Sequence, residues 1–101
     1  MEKIEGLGKR LKELREMRGL TIEMVVYDMN HRFGVKLSKG HISKWENEVN
    51  VPSLAHTRRL CMYYQVNLDY LLGLAETKAP VRVLAKEDDK KKKEEEEDGN
   101  I

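Results

Sequence analysis

Three histidines, a lone cysteine and a close pair of carboxylates are the groups in this 101-residue chain best suited to metal or catalytic chemistry, and their spacing fits neither. His31, His41, His56 and Cys61 lack the paired close spacings of a zinc site. Glu46 and Glu48 stand two apart, which puts them on different faces of a helix. No glycine-rich phosphate loop and no nucleophile elbow occurs, so no catalytic residue, metal or cofactor is expected. What remains is hydrogen-bonding chemistry concentrated between Ser38 and Asn47. Ile42 and Trp45, three apart, are the apolar pair of that stretch, so a helix there buries them and turns Lys39, Gly40, Ser43, Lys44 and Asn47 outward.

Four further segments must hold that helix in place. Leu7, Leu11, Leu14 and Met17 recur at spacings of three and four among charged residues, predicting an amphipathic helix over 4–18. Gly19 supplies a left-handed stop and Thr21 caps a second helix starting at Ile22. The inward residues of that helix are Val25, Val26, Met29 and Phe33, with Gly34 as its end. Val35–Leu37 reads as an extended connection, and Ser38 caps the third helix, which runs to about Glu48. Asn50 and Pro52 mark a loop. Ser53 caps a fourth helix with Leu54, Leu60, Cys61 and Tyr64 inward and His56, Arg58 and Arg59 more exposed. A short fifth helix, 68–72, is capped by Asn67 and closed by Gly73.

Composition agrees with an all-α class: 37% of residues are charged and two are proline, which favours helices with solvated outer faces over strands. The length suits one domain, expected over residues 1–74, followed by a charged, disordered low-complexity tail over 75–101. Up to Leu74 the chain carries 12 basic and 9 acidic residues, and beyond it 7 and 9, so the domain is net +3 and the tail −2. A basic domain suits a polyanion without demonstrating one. In the tail, Val81, Val83 and Leu84 form a brief apolar patch before Lys90–Lys93 and Glu94–Glu97. One cysteine permits no intramolecular disulfide. The N-terminal residues have no apolar signal region and no run is long enough to span a bilayer, so a cytoplasmic protein without a membrane partner is expected.

Three separated blocks, LKELREMRGLT (11–21), LSKGHISKWEN (37–47) and VPSL…VNLDYLLGL (51–74), resemble the Cro/CI-type (XRE) helix-turn-helix family in its order. The longer second helix ending in Phe33–Gly34 is most similar to phage-type repressors of Gram-positive bacteria. The resemblance implies a five-helix lambda-repressor-like domain whose third helix enters the major groove of double-stranded DNA while the second braces it. It further implies a transcriptional regulator, acting as a repressor, with two copies on a palindromic operator.

Carried over by position, the resemblance puts Lys39, Gly40, Ser43 and Lys44 against base edges. Lysine donates to guanine O6 or N7, whereas Gly40 has no side chain, which weakens the carry-over at its position; it permits either close backbone approach or simply flexibility near the helix start. Ser38, His41 and Asn47 fall where phosphates are contacted, with the first amides of the helix adding an anion site. Arg15 and Glu46 match a buried ion pair joining the first helix to the end of the third.

Two departures stand out. The stretch from Thr21 to Ile42 is about six residues longer than in the shortest members, which lengthens the brace or the turn. Ile22 and Met24 replace a glutamine that touches phosphate and a glutamate that completes a capping box. Trp45 is expected in the core rather than as a stacking platform, Cys61 as inert packing, and Arg58 and Arg59 as a solvated face or, alternatively, extra phosphate contacts. The rival reading is an antitoxin-like or antirepressor-like adaptor on the same fold, with the C-terminal segment as its protein-binding feature.

Overall fold

Local signals set most helix ends. The computed structural model describes residues 4–76, in which five helices and no strand occur: α1 (Leu7–Met17), α2 (Ile22–Phe33), α3 (Lys39–Glu46), α4 (Leu54–Tyr64) and α5 (Leu68–Leu71). The side-chain oxygens of Thr21, Ser38, Ser53 and Asn67 each accept the amide three residues on, satisfying one orphan donor per helix. Gly34, at φ 66°, ends α2 with its N–H donated to the Asn30 carbonyl at 2.9 Å. The tail features, Val81, Val83, Leu84 and the Lys–Glu run, lie outside the described residues.

The core is Leu7, Leu11 and Leu14 of α1, Val25 and Met29 of α2, Leu37 before α3, Ile42 and Trp45 of α3, Leu60 and Tyr64 of α4, and Val66, Tyr70 and Leu71 beyond. α3 packs on α1 and α2, α4 on α2 and α5, and α5 on α1. Longer side chains fasten these packings. Arg10 donates to the Leu71 carbonyl at 3.2 Å, Arg18 to the Tyr64 carbonyl at 2.6 Å, and the Tyr63 hydroxyl to Asp28 at 2.6 Å. Burial and that carboxylate push the Tyr63 hydroxyl pKa upward, so it stays a donor at neutral pH.

Several expectations are corrected. The first helix starts at Leu7, because Gly6 at φ 79° breaks the preceding backbone. Met17 is 65% exposed, since it lies about 80° around the helix from Leu7. Leu54 is 79% exposed; it points about 120° away from Leu60, and buried Thr57 takes the inward place with its hydroxyl donated to the Ser53 carbonyl at 2.8 Å. Val26, Phe33 and Cys61 are half-buried flanks of the core rather than members of it. The third helix stops at Glu46, two residues early, and Glu48 turns the chain with a left-handed φ of 60°. The fifth helix ends at Leu71, with Leu72 as its cap.

Candidate nucleic-acid interface

α3 is presented by what lies beneath it. The Arg15 Nε donates to Glu46 Oε2 at 2.8 Å and its Nη2 to Oε1 at 3.0 Å, while Nη1 reaches the Leu20 carbonyl at 2.9 Å. This two-pronged pair, with side chains 12% and 4% exposed, joins α1, the turn before α2 and the last turn of α3. The carboxylate raises the guanidinium pKa further, and each charge is satisfied by the other at low exposure.

A second clamp was not foreseen. Gly8 is buried in α1, and a Cβ there would sit 2.5 Å from the carbonyl oxygens of Trp45 and Glu46. Only glycine lets the start of α1 approach the end of α3 so closely. The Gly8 N–H donates to Glu48 Oε2 at 3.0 Å, so a residue 40 positions away caps a helix whose own N-cap, Gly6, has no side chain to do so. The left-handed Glu48 aims that carboxylate. A third clamp fixes the entry to α3: Asn30 accepts the Leu37 N–H at 2.7 Å and donates to the Leu37 carbonyl at 2.9 Å. The long second helix and its extended connection are thereby tied together one residue before the Ser38 cap. A small residue between Leu7 and Leu11, and an asparagine shortly before Gly34, were the sequence signals for these two clamps.

On the opposite side of α3, Ser38, Lys39, Gly40, His41, Lys44 and Asn47 are exposed and Ser43 is half-buried. Ile42, Trp45 and Glu46 face inward. Lys44 forms no ion pair among the described residues, and its carbonyl accepts the amides of Val49 and Asn50 at 2.8 and 3.3 Å. Gly40 meets only Ser38 Oγ, at 3.6 Å from a built Cβ, so its own fold does not require glycine there. Asn47 donates to Ser43 Oγ at 3.3 Å. Lys39 donates to Glu23 Oε2 of α2 at 3.0 Å, a partner that sequence reasoning missed.

His41 has a defined local job. Its Nδ1 accepts the Ser38 N–H at 3.0 Å while the Ser38 hydroxyl accepts the His41 N–H at 3.4 Å, a capping box with imidazole in the carboxylate's usual place. With Nδ1 taken up as an acceptor in this box, the other ring nitrogen, Nε2, is the one left to serve as a donor. The box occupies the amides of Ser38 and His41, which narrows the anion site expected at this terminus to those of Lys39 and Gly40. α2 has a weaker version: Met24 Sδ accepts the Thr21 N–H at 3.5 Å, so sulfur supplies the function sequence reading found missing there.

Trp45 is 5% exposed, with the His56 ring centroid 5.4 Å and the His41 centroid 6.1 Å away. It is a core residue. Burial, then Arg59 and His41, lower the His56 pKa, and Arg59 Nη1 lies 3.0 Å from its Nδ1. Arg58 is exposed. Burial raises the Cys61 thiol pKa, leaving little thiolate to react. Among the described residues no group of three or more His, Cys, Asp or Glu side chains is placed to hold a metal, and no helix is long and apolar enough to cross a membrane.

Neither a curated protein nor a solved structure matches the chain. A family model described as a helix-turn-helix domain matches residues 8–76, a span that takes in all three clamps, the exposed face of α3 and the last two helices. The chain therefore belongs to the XRE-type helix-turn-helix family, whose members bind DNA as transcription regulators.

Proposed function

We propose that the protein is a sequence-specific double-stranded-DNA-binding repressor that sets α3 into the major groove. The observation that carries this reading is the contrast across α3. Its inner side is held by two clamps and an indole, while Lys39, Gly40, Lys44 and Asn47 are exposed on its outer side. B-DNA's major groove admits one helix of this kind. In this reading Lys39 and Lys44 donate to base-edge acceptors, Gly40 lets the backbone come close, and Ser43 assists. Ser38, Asn47 and the Nε2–H of His41 contact phosphates, which fix register without reading sequence.

One such domain covers only about 600–1,000 Å² on DNA, so two copies on a palindromic operator with half-sites about one helical turn apart give the affinity a regulator needs. Residues 1–74 form the DNA-binding unit and 75–101 a charged tail, and the protein works in the cytoplasm, where its operator lies.

Selection of binding sites from random duplex DNA tests this directly. The expected result is a two-fold symmetric consensus bound with a steep salt dependence. Recovery of no consensus by a chain that still binds DNA overturns sequence-specific regulation in favour of an architectural role. Absence of any duplex binding favours the adaptor.

A further inference from the structure

Lys39 is not independent of its own chain. Its Nζ donates to Glu23 Oε2 at 3.0 Å, with the two side chains 63% and 65% exposed. An ion pair this exposed adds little to fold stability, and α2 and α3 are already joined by buried Val25, Met29 and Ile42 and by the Asn30 clamp. Its position is more informative. Glu23 lies in the first turn of α2 and Lys39 in the first turn of α3, so the carboxylate stands at the edge of the face that carries Lys39, Gly40 and Lys44. The hydrogen bond from Lys39 lowers the Glu23 pKa, so the negative charge is in place at neutral pH.

We propose that Glu23 is a specificity-determining residue of the DNA interface, which positions the Lys39 ammonium and cancels its attraction for phosphate. This rests on the DNA-binding reading above. An unpaired ammonium gains from any phosphate, on every sequence alike, by releasing counterions. Beside a carboxylate at 3.0 Å it forms a locally neutral pair, and an approaching phosphate meets attraction and repulsion of similar size.

Base edges are different. Guanine presents the neutral acceptors N7 and O6, and its cytosine partner presents the N4 amine as a donor. A lysine ammonium and a glutamate carboxylate side by side offer the complementary donor and acceptor, so the pair fits a G·C base pair opposite the start of α3. A·T also carries a donor and acceptors, but it places the adenine N6 donor between N7 and thymine O4, so a lysine fitted to adjacent N7 and O6 loses one acceptor there. The pair thus suppresses random binding and rewards one base pair with two hydrogen bonds.

The test compares the full-length chain with Glu23→Ala, Glu23→Gln, Lys39→Met and the Glu23→Ala/Lys39→Met double variant. Each is titrated with the duplex returned by selection, the same duplex carrying A·T at the proposed position, and a random duplex. Glu23→Ala is expected to bind random duplex more tightly, with a salt slope steeper by about 0.9, an extra loss of about threefold between 50 and 200 mM salt. Its preference for G·C at that position drops about tenfold. Glu23→Gln keeps an acceptor without the charge, so it gains random-duplex affinity but retains part of the base preference. With Lys39 already replaced, Glu23→Ala still relieves the carboxylate's repulsion of phosphate, but it no longer removes the lysine-dependent part of the G·C preference. An unchanged ratio of selected to random binding in Glu23→Ala overturns the proposal, as does an equal loss of G·C preference from that substitution in both Lys39 backgrounds. A wild-type chain that prefers no duplex contradicts the DNA-binding reading itself, and is recognised before any variant is made.

Discussion

The two sides of α3 are built on opposite plans. Toward the protein, Ile42, Trp45 and Glu46 are each less than 10% exposed, and Arg15, Gly8 and Glu48 meet the same end of the helix from α1 and from the following turn. Toward solvent, Lys44 has no ionic partner among the described residues, Gly40 touches only its own cap, and Lys39 is held by one exposed carboxylate. The inner side is fixed several times over, while the outer side is held only lightly, by the Ser38–His41 cap, the Asn47–Ser43 contact and the exposed Lys39–Glu23 pair. A rigid element that presents an exposed, lightly oriented polar face suits recognition of an external surface, since side chains already held near the geometry they need lose little freedom on binding.

Substitutions can break this contrast in a graded way. The largest effect is expected on the buried ion pair: Glu46→Ala leaves the Arg15 guanidinium uncompensated and should cost about 3–5 kcal/mol, whereas replacing both partners with apolar residues of similar size should recover most of it. Urea unfolding of the single and double variants measures this. Next comes Gly8→Ala, whose methyl group would have to displace two backbone carbonyls. Overpacking of that kind costs about 1–3 kcal/mol, and because it moves the end of α3 it should weaken DNA binding by more than the stability loss alone explains.

Asn30→Ala follows. Removing it strips both hydrogen bonds from Leu37 and leaves that half-sheltered backbone unpaired, at about 1–3 kcal/mol. Amide hydrogen exchange should then accelerate at Leu37 and Ser38 before it does in the core.

On the outer side the pattern should reverse. Lys44→Ala should change stability by less than about 0.5 kcal/mol while relaxing base preference at one position by about 1–3 kcal/mol. An equal loss on selected and random duplexes would reassign Lys44 to a phosphate. Gly40→Ala is the one substitution expected to stabilise the fold, by up to about 1 kcal/mol in α3. If the α3 backbone approaches DNA closely there, the same methyl group weakens binding, and the two changes have opposite signs.

How much of this was legible in the sequence depends on the distance over which each interaction acts. Thr21, Ser38, Ser53 and Asn67 were readable as caps and Gly34 as a stop because each hydrogen-bonds within three or four residues. Burial at element ends was less readable: Met17 and Leu54 satisfy the apolar pattern, yet each sits where its helix has turned away from the core. The family resemblance pointed to Arg15 and Glu46, which the structure brings together across 31 positions. It offered nothing comparable for Gly8 with Glu48, Asn30 with Leu37, or Lys39 with Glu23. These depend on how closely particular elements of this chain approach one another, across 40, 7 and 16 positions. The polar face of α3 could be read from Ile42 and Trp45 alone, but which of its side chains are engaged by their own protein could not.

In the proposed reading, duplex DNA lies against the outer side of α3. Amide chemical-shift mapping of the full-length chain, titrated with the duplex recovered by selection, tests it most directly. The largest changes are expected on Ser38–Lys44 and Asn47, with Glu23 following and the buried Ile42–Glu46 framework keeping its hydrogen-exchange protection. Changes concentrated instead around Arg58, Arg59 or α5, with the first turn of α3 unmoved, would contradict it.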